Sequence, residues 1–172
     1  MTARSRAARA RQIRLLLLDV DGVLTDGRLV YGPHGEEQKV FHVRDGYAIV
    51  AAQAAGMIIG VISGRASSAV TTRLAELGVH EVHQCVSDKA ALLLELCGRY
   101  SVGPDRVAFM GDDVPDLPLL RAVGLALAPS DAAPEVRRAA AWTSRRPGGC
   151  GAVRDAIEWL LGARGAWPPR TR

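Results

Sequence analysis

At 172 residues with a net charge of +4, the chain is long enough for one domain with a buried core. Its positive surplus is no compact basic face: Arg4, Arg6, Arg9, Arg11 and Arg14 crowd the start, and Arg164, Arg170 and Arg172 lie near the end. Without interleaved aromatics, this speaks against a nucleic-acid or acidic-membrane partner. Cys85, Cys97 and Cys150 are odd in number and far apart, so they suggest neither a disulfide framework nor a metal-ligand set, and they fit a reducing cytoplasm. The leucine run at 15–18 is shorter than the roughly seven residues of a signal-peptide core. The stretch 47–62 is interrupted by Gln53, Gly56 and Gly60 and falls short of the ~20 residues that span a bilayer. The expected organisation is a basic tail over 1–12, one domain over 13–162 and a C-terminal tail over 163–172, in a soluble cytoplasmic protein.

In chain order, short apolar runs alternate with helix-like segments. Residues 13–20 read as a buried strand. Residues 28–31 and 39–43 flank the turn-forming cluster Gly32-Pro33-His34-Gly35 and predict a β-hairpin. Asp45 is placed to cap a helix that runs to Ala55 and stops at Gly56. A second buried strand is expected over 57–62, a helix over 67–77 ended by Gly78, and a strand over 81–85. Ser87 is placed to cap a helix over 88–100, and a strand follows over 107–110. Pro115 suits the first turn of a helix reaching Val123, with Gly124 as its stop. Residues 125–128 and 141–143 are short candidate strands, and 152–161 form the closing helix. Trp142 and Trp159 read as core, and Trp167 as part of a mobile tail. This alternation implies an α/β fold: a Rossmann-like parallel sheet with helices on both faces.

Ligands of such sheets bind outside the carboxyl ends of the strands, so the residues after each apolar run are informative. After the first run stand Asp19-Val20-Asp21-Gly22. Two carboxylates at the end of an apolar strand are costly unless they bind a cation or do chemistry. Ser63-Gly64-Arg65 follows the second run, and its hydroxyl, flexible amide and guanidinium make an anion site. Ser87-Asp88-Lys89 follows the third and puts an ammonium at a helix start. Gly111-Asp112-Asp113, with Asp116 one turn on, adds oxygen ligands suited to Mg²⁺. Singly, each motif has a plainer reading as a cap, a turn or a solvated residue. In order, each at a strand end, they supply what phosphoryl transfer needs. A carboxylate attacks, cations neutralise its repulsion from the phosphate, and a second acid moves the proton.

These motifs resemble those of the haloacid dehalogenase superfamily of phosphohydrolases, over most of the chain. The resemblance implies that fold and a set of roles. Asp19 would be the nucleophile. Asp21 would be the acid/base, with its backbone carbonyl on Mg²⁺. Asp19 and Asp112 would be the other metal ligands. Ser63 and Lys89 would hold the phosphoryl group, with Gly22 and Gly64 beside it. Asp113 and Asp116 would act behind these or through water. Asp21 and Ser63 are 42 positions apart (63 − 21), and Lys89 and Asp112 are 23 apart (112 − 89). Neither gap has room for a cap domain, so the expected protein is capless, with the hairpin inserted after the first strand.

Finer segments, among them Phe41-His42-Val43-Arg44-Asp45-Gly46, Ser63-Gly64-Arg65 and Gly148-Gly149-Cys150-Gly151, resemble the 3-deoxy-D-manno-octulosonate 8-phosphate phosphatases. That resemblance implies a homotetramer built on the 28–43 hairpin and a sugar-acid phosphate as substrate. Arg44 and Arg65 become candidates for gripping its carboxylate, which suits the arginine fork. The chain departs from that family at Cys150, where arginine is usual. The competing readings are a phosphatase of nine-carbon sialic-type 9-phosphates, a phosphatase of a macromolecule, and a non-catalytic tetramerisation module. Arg65 favours the octulosonate over the nine-carbon sugars, for which a glutamate is expected there. The intact acid, serine and lysine set counts against the silent module.

Overall fold

The computed structural model describes residues 2–169. Six parallel strands make the central sheet: β1 (Leu15–Leu18), β4 (Ile58–Ile62), β5 (Glu81–His83), β6 (Val107–Met110), β7 (Leu125–Ala128) and β8 (Trp142–Thr143), in the order β5-β4-β1-β6-β7-β8. Two short antiparallel strands, β2 (Val30–Tyr31) and β3 (Glu37–Gln38), form a separate hairpin. Seven α-helices and two 3₁₀ turns, Pro104–Arg106 and Val114–Asp116, complete the described chain: α1 (Ala3–Gln12), α2 (Val43–Ala54), α3 (Ser68–Glu76), α4 (Lys89–Tyr100), α5 (Leu117–Ala122), α6 (Pro134–Ala139) and α7 (Ala152–Ala163).

The four leucines of β1 are all buried, because a parallel sheet covered on both faces has no wet side. Side chains alternate across the strand. Leu16 and Leu18 join Ile49 of α2, Leu74 of α3 and Ile157 of α7 on one face. Leu15 and Leu17 join Leu93 of α4, Leu119 of α5 and Val136 of α6 on the other.

Several local expectations are corrected. The segment 1–12, expected to be a solvated tail, is ordered as α1 from Ala3 onward. Ala10 is fully buried, and the guanidinia of Arg6, Arg9 and Arg11 donate to the carbonyls of Ala141, Gly124 and Ala163 at 3.1, 2.9 and 2.8 Å. Trp167, expected in a mobile tail, packs edge-on to Tyr47 with 6.4 Å between centroids, under the Arg154 guanidinium. Arg170 and Arg172 lie outside the described residues. The second hairpin arm is β3, not 39–43, because the turn closes early: the Gly32 amide donates to the Glu36 carbonyl at 2.8 Å, setting Tyr31 opposite Glu37. Asp88, not Ser87, caps α4, its carboxylate accepting from the Ala90 and Ala91 amides at 3.0 Å.

Asp45 does not cap α2; His42 does. Asp45 sits inside the first turn of α2, 2% exposed, and accepts from the Gly151 and Arg154 amides at 3.3 and 2.7 Å. It therefore ties α2 to the start of α7, supplying a negative charge where the helix needs one. Burial pushes its carboxyl above the usual range, against the pull of these amides.

Candidate active site

Strand order reverses at β1: the chain builds through β4 and β5 on one side and through β6 to β8 on the other. This is the switch point at which an α/β sheet opens a crevice. Leu18 ends β1 level with Val61 and Met110 of its neighbours. Asp19, Ser63 and Asp112 therefore emerge side by side just beyond three adjacent strands. Lys89 arrives at the first position of α4, after the edge strand β5. A cavity of about 400 Å³ is lined by Asp19, Asp21, Ser63, Lys89, Asp112 and Asp116, with Gly64, Arg65 and Asp113 also on its wall.

The cavity's centre is an ion cluster. The Lys89 ammonium lies 2.9 Å from Asp19 Oδ1 and 2.6 Å from Asp116 Oδ1. Burial works against the charge of Lys89, but Asp19 and Asp116 outweigh it and hold the ammonium above its usual range. Burial, reinforced by Asp116, pushes Asp19 up to about 6 against the opposing pull of Lys89. Asp116 is buried; its other oxygen accepts from the Asp112 amide at 2.9 Å. Asp116 thus bridges Lys89 and the Asp112 loop. Asp113 caps the 3₁₀ turn 114–116 through the Val114 amide at 2.7 Å. Ser63 is 3% exposed and accepts from the Arg65 amide at 3.1 Å.

Asp19, Asp112 and Asp116 can bring one carboxylate oxygen each within 4.8 Å of one another. Burial first, then Asp19, Asp116 and Asp113, pushes Asp112 up to about 8. Such crowding of acids is relieved by a divalent cation, and hard oxygen donors suit Mg²⁺. Gly22 makes room for the cluster: at φ +81°, a Cβ there would stand 2.0 Å from Asp112 Oδ2. The loop before α7 presses in from behind, a Cβ on Gly148 meeting the Gly22 carbonyl at 1.8 Å. The donor set fits Mg²⁺.

The structure adds a residue that the sequence reading did not single out. Lys39, just past β3, reaches back from the hairpin to pair with Asp21 Oδ1, and lies 3.0 Å from Glu37. Its side chain is 1% exposed. Arg65 lies 3.3 Å from Glu37 and 3.8 Å from Asp21 Oδ2. The only local signal was a lysine in a Glu-x-Lys pair beside a predicted turn, which ordinarily reads as surface.

Arg44 is not brought to this cleft. It is exposed on the first turn of α2 and lines a second cavity of about 320 Å³ with His42, Arg146, Cys150 and Arg154. Within one protomer, Arg65 on the cleft wall is the arginine of the pair that stands at the site.

A parallel sheet with its acids at the switch point is the arrangement of a haloacid dehalogenase-like hydrolase, and the model of that family matches residues 81–157. The 3-deoxy-D-manno-octulosonate 8-phosphate phosphatase of Escherichia coli K12 is 42% identical over 158 residues, covering 92% of this chain and 84% of its own. Two solved structures superpose closely. The octulosonate 8-phosphate phosphatase of Moraxella catarrhalis, in complex with magnesium ion, phosphate ion and KDO, matches at TM-score 0.94 and 32% identity, over 96% of this chain and 95% of its own. The Yersinia pestis enzyme matches at TM-score 0.95 and 38% identity, over 99% and 92%. The chain belongs to the 3-deoxy-D-manno-octulosonate 8-phosphate phosphatase family.

Proposed function

We propose that this protein is a Mg²⁺-dependent phosphatase that hydrolyses 3-deoxy-D-manno-octulosonate 8-phosphate to the free sugar acid and inorganic phosphate. The observation that carries the reading is Asp19 at the end of β1, its carboxylate 2.9 Å from the Lys89 ammonium and beside Asp112 in one cleft. Asp19 attacks phosphorus. Lys89, the Ser63 hydroxyl and the backbone at Gly22 and Gly64 receive the phosphoryl oxygens. Asp21 gives its proton to the departing sugar oxygen, then takes one from the water that attacks the aspartyl-phosphate. Asp19, Asp112 and the Asp21 backbone carbonyl would hold Mg²⁺, which supplies charge neutralisation. Arg65, half-exposed on the cleft wall, is the group offered to the sugar carboxylate.

The family's crystal complex with KDO supports the choice of sugar. A homotetramer through the 28–43 hairpin fits the exposed apolar side chains there: Tyr31 is 59% and Val40 74% exposed. No helix among the described residues is long and apolar enough to cross a membrane. Phosphate release with Mg²⁺ and with EDTA, across the octulosonate 8-phosphate, nine-carbon sialic-type 9-phosphates and a phosphopeptide, tests the reading. The expected kcat/KM is highest for the eight-carbon acid and abolished by EDTA. Preference for a nine-carbon sugar or the phosphopeptide would overturn the substrate.

A further inference from the structure

Lys39 is a costly residue for the fold to bury. An ammonium gives up strong hydration on leaving water, a loss that only close pairing and hydrogen bonds offset. Here the side chain is 1% exposed and is held by two carboxylates, Asp21 and Glu37. Burial opposes its charge, and the bonds to Asp21 and Glu37 more than restore it. Glu37 in turn holds Arg65 at 3.3 Å, and Arg65 faces back to Asp21 at 3.8 Å. The four groups close a ring of alternating charge between the hairpin and the catalytic loop.

The ring divides the two oxygens of Asp21. Lys39 occupies Oδ1. Among the described residues Oδ2 accepts no hydrogen bond, and the 3.8 Å to Arg65 Nε is too long for one. A carboxyl that must pass one proton out and take one back needs one oxygen anchored and one free. We propose that Lys39 is a positioning residue for Asp21: the hairpin, through this ammonium, aims the carboxyl at the departing oxygen. The proposal rests on the acid/base role given to Asp21. In the step concerned, the Asp19 oxygen–phosphorus bond forms, the phosphorus–ester oxygen bond breaks, and the Asp21 proton passes to that oxygen.

Mere fastening of the hairpin would place the same residues together, so the test must separate aim from attachment. The leaving group does this. A sugar alkoxide needs a proton to depart, whereas p-nitrophenolate departs without one. Single-turnover release of the leaving group is measured from the sugar phosphate and from p-nitrophenyl phosphate, for the wild type, Lys39→Met, Lys39→Arg and Asp21→Asn. Lys39→Met is expected to slow the sugar ester on the order of 10²-fold, the low end of what a placed general acid contributes, with KM little altered and the aryl ester within about 3-fold. Lys39→Arg, which keeps charge and donors, is expected to recover most of the loss. Mg²⁺ affinity by calorimetry is expected to be unchanged in both. Equal losses on the two esters, or none on either, would overturn the proposal while leaving the ester-dependent loss in Asp21→Asn intact. An Asp21→Asn variant with no ester dependence would bring down the acid/base assignment itself.

Discussion

Asp19 and Asp112 stand well above the usual carboxylate range, at about 6 and about 8, and that elevation has a consequence for stability. A carboxyl whose folded pKa exceeds its unfolded one contributes stability that is complete below the unfolded value and is lost as pH rises through the folded value. Without a divalent cation, the thermal midpoint should therefore fall as pH climbs through about 6 and on through about 8. Mg²⁺ binds the ionised acids, so it should raise the midpoint more above the upper value than below the lower. Scanning calorimetry in EDTA and in Mg²⁺ at the two ends of that window checks the sign; a metal effect larger at the acid end would contradict it. Asp19, Asp21, Ser63, Lys89 and Asp112 were legible in the sequence because each follows an apolar run, and a parallel sheet delivers strand ends to one edge. Lys39 was not legible. Its partner Asp21 is 18 residues away, across a hairpin whose register is set by the turn at 32–36, and no periodicity announces such a contact.

At the scale of elements, sequence and structure agree best where burial is complete. The strands β6 and β7 have the bounds their apolar runs imply, since side chains buried on both faces leave little choice of register. Elements held by particular polar contacts were harder to read. α1 buries little beyond Ala10 and is secured by arginines reaching distant carbonyls, so its charge looked like a solvated arm. α6 has six residues and begins at Pro134; a proline at the first helical position was the signal available for it. Asp45 looked like the cap of its own helix, but its acceptors serve α7. Asp45→Ala would leave the Gly151 and Arg154 amides without that acceptor, at a cost of about 2 kcal/mol. Urea unfolding should show this loss with Mg²⁺ affinity retained. A midpoint equal to the wild type would mean that α2 and α7 are joined by apolar packing alone.

For the whole molecule, the absence of a cap domain shapes everything else. The two gaps in which a cap would sit hold only the hairpin, α2 and β4, and α4, a 3₁₀ turn and β6. The cleft thus faces outward, and the neighbouring apolar surface on the hairpin and α2, with Val40, Val43 and Tyr47 exposed, has the character of an interface. Replacing Tyr31 and Val40 together by aspartate should shift the protein to smaller species in sedimentation velocity, because charges would be buried in an apolar contact. An unchanged species would contradict the proposed assembly through the hairpin. The proposed nucleophile, ammonium, acid/base and metal ligands, by contrast, all come from a single chain, just beyond the ends of β1, β5 and β6. The most direct test is to quench turning-over enzyme, reduce it with borohydride and read the mass of the peptide containing residue 19. Reduction converts an aspartyl-phosphate to homoserine, so the account requires homoserine at position 19, formed only with substrate and Mg²⁺ and absent in Asp19→Asn. Turnover with position 19 unmodified, or with the conversion at another acid, would contradict it.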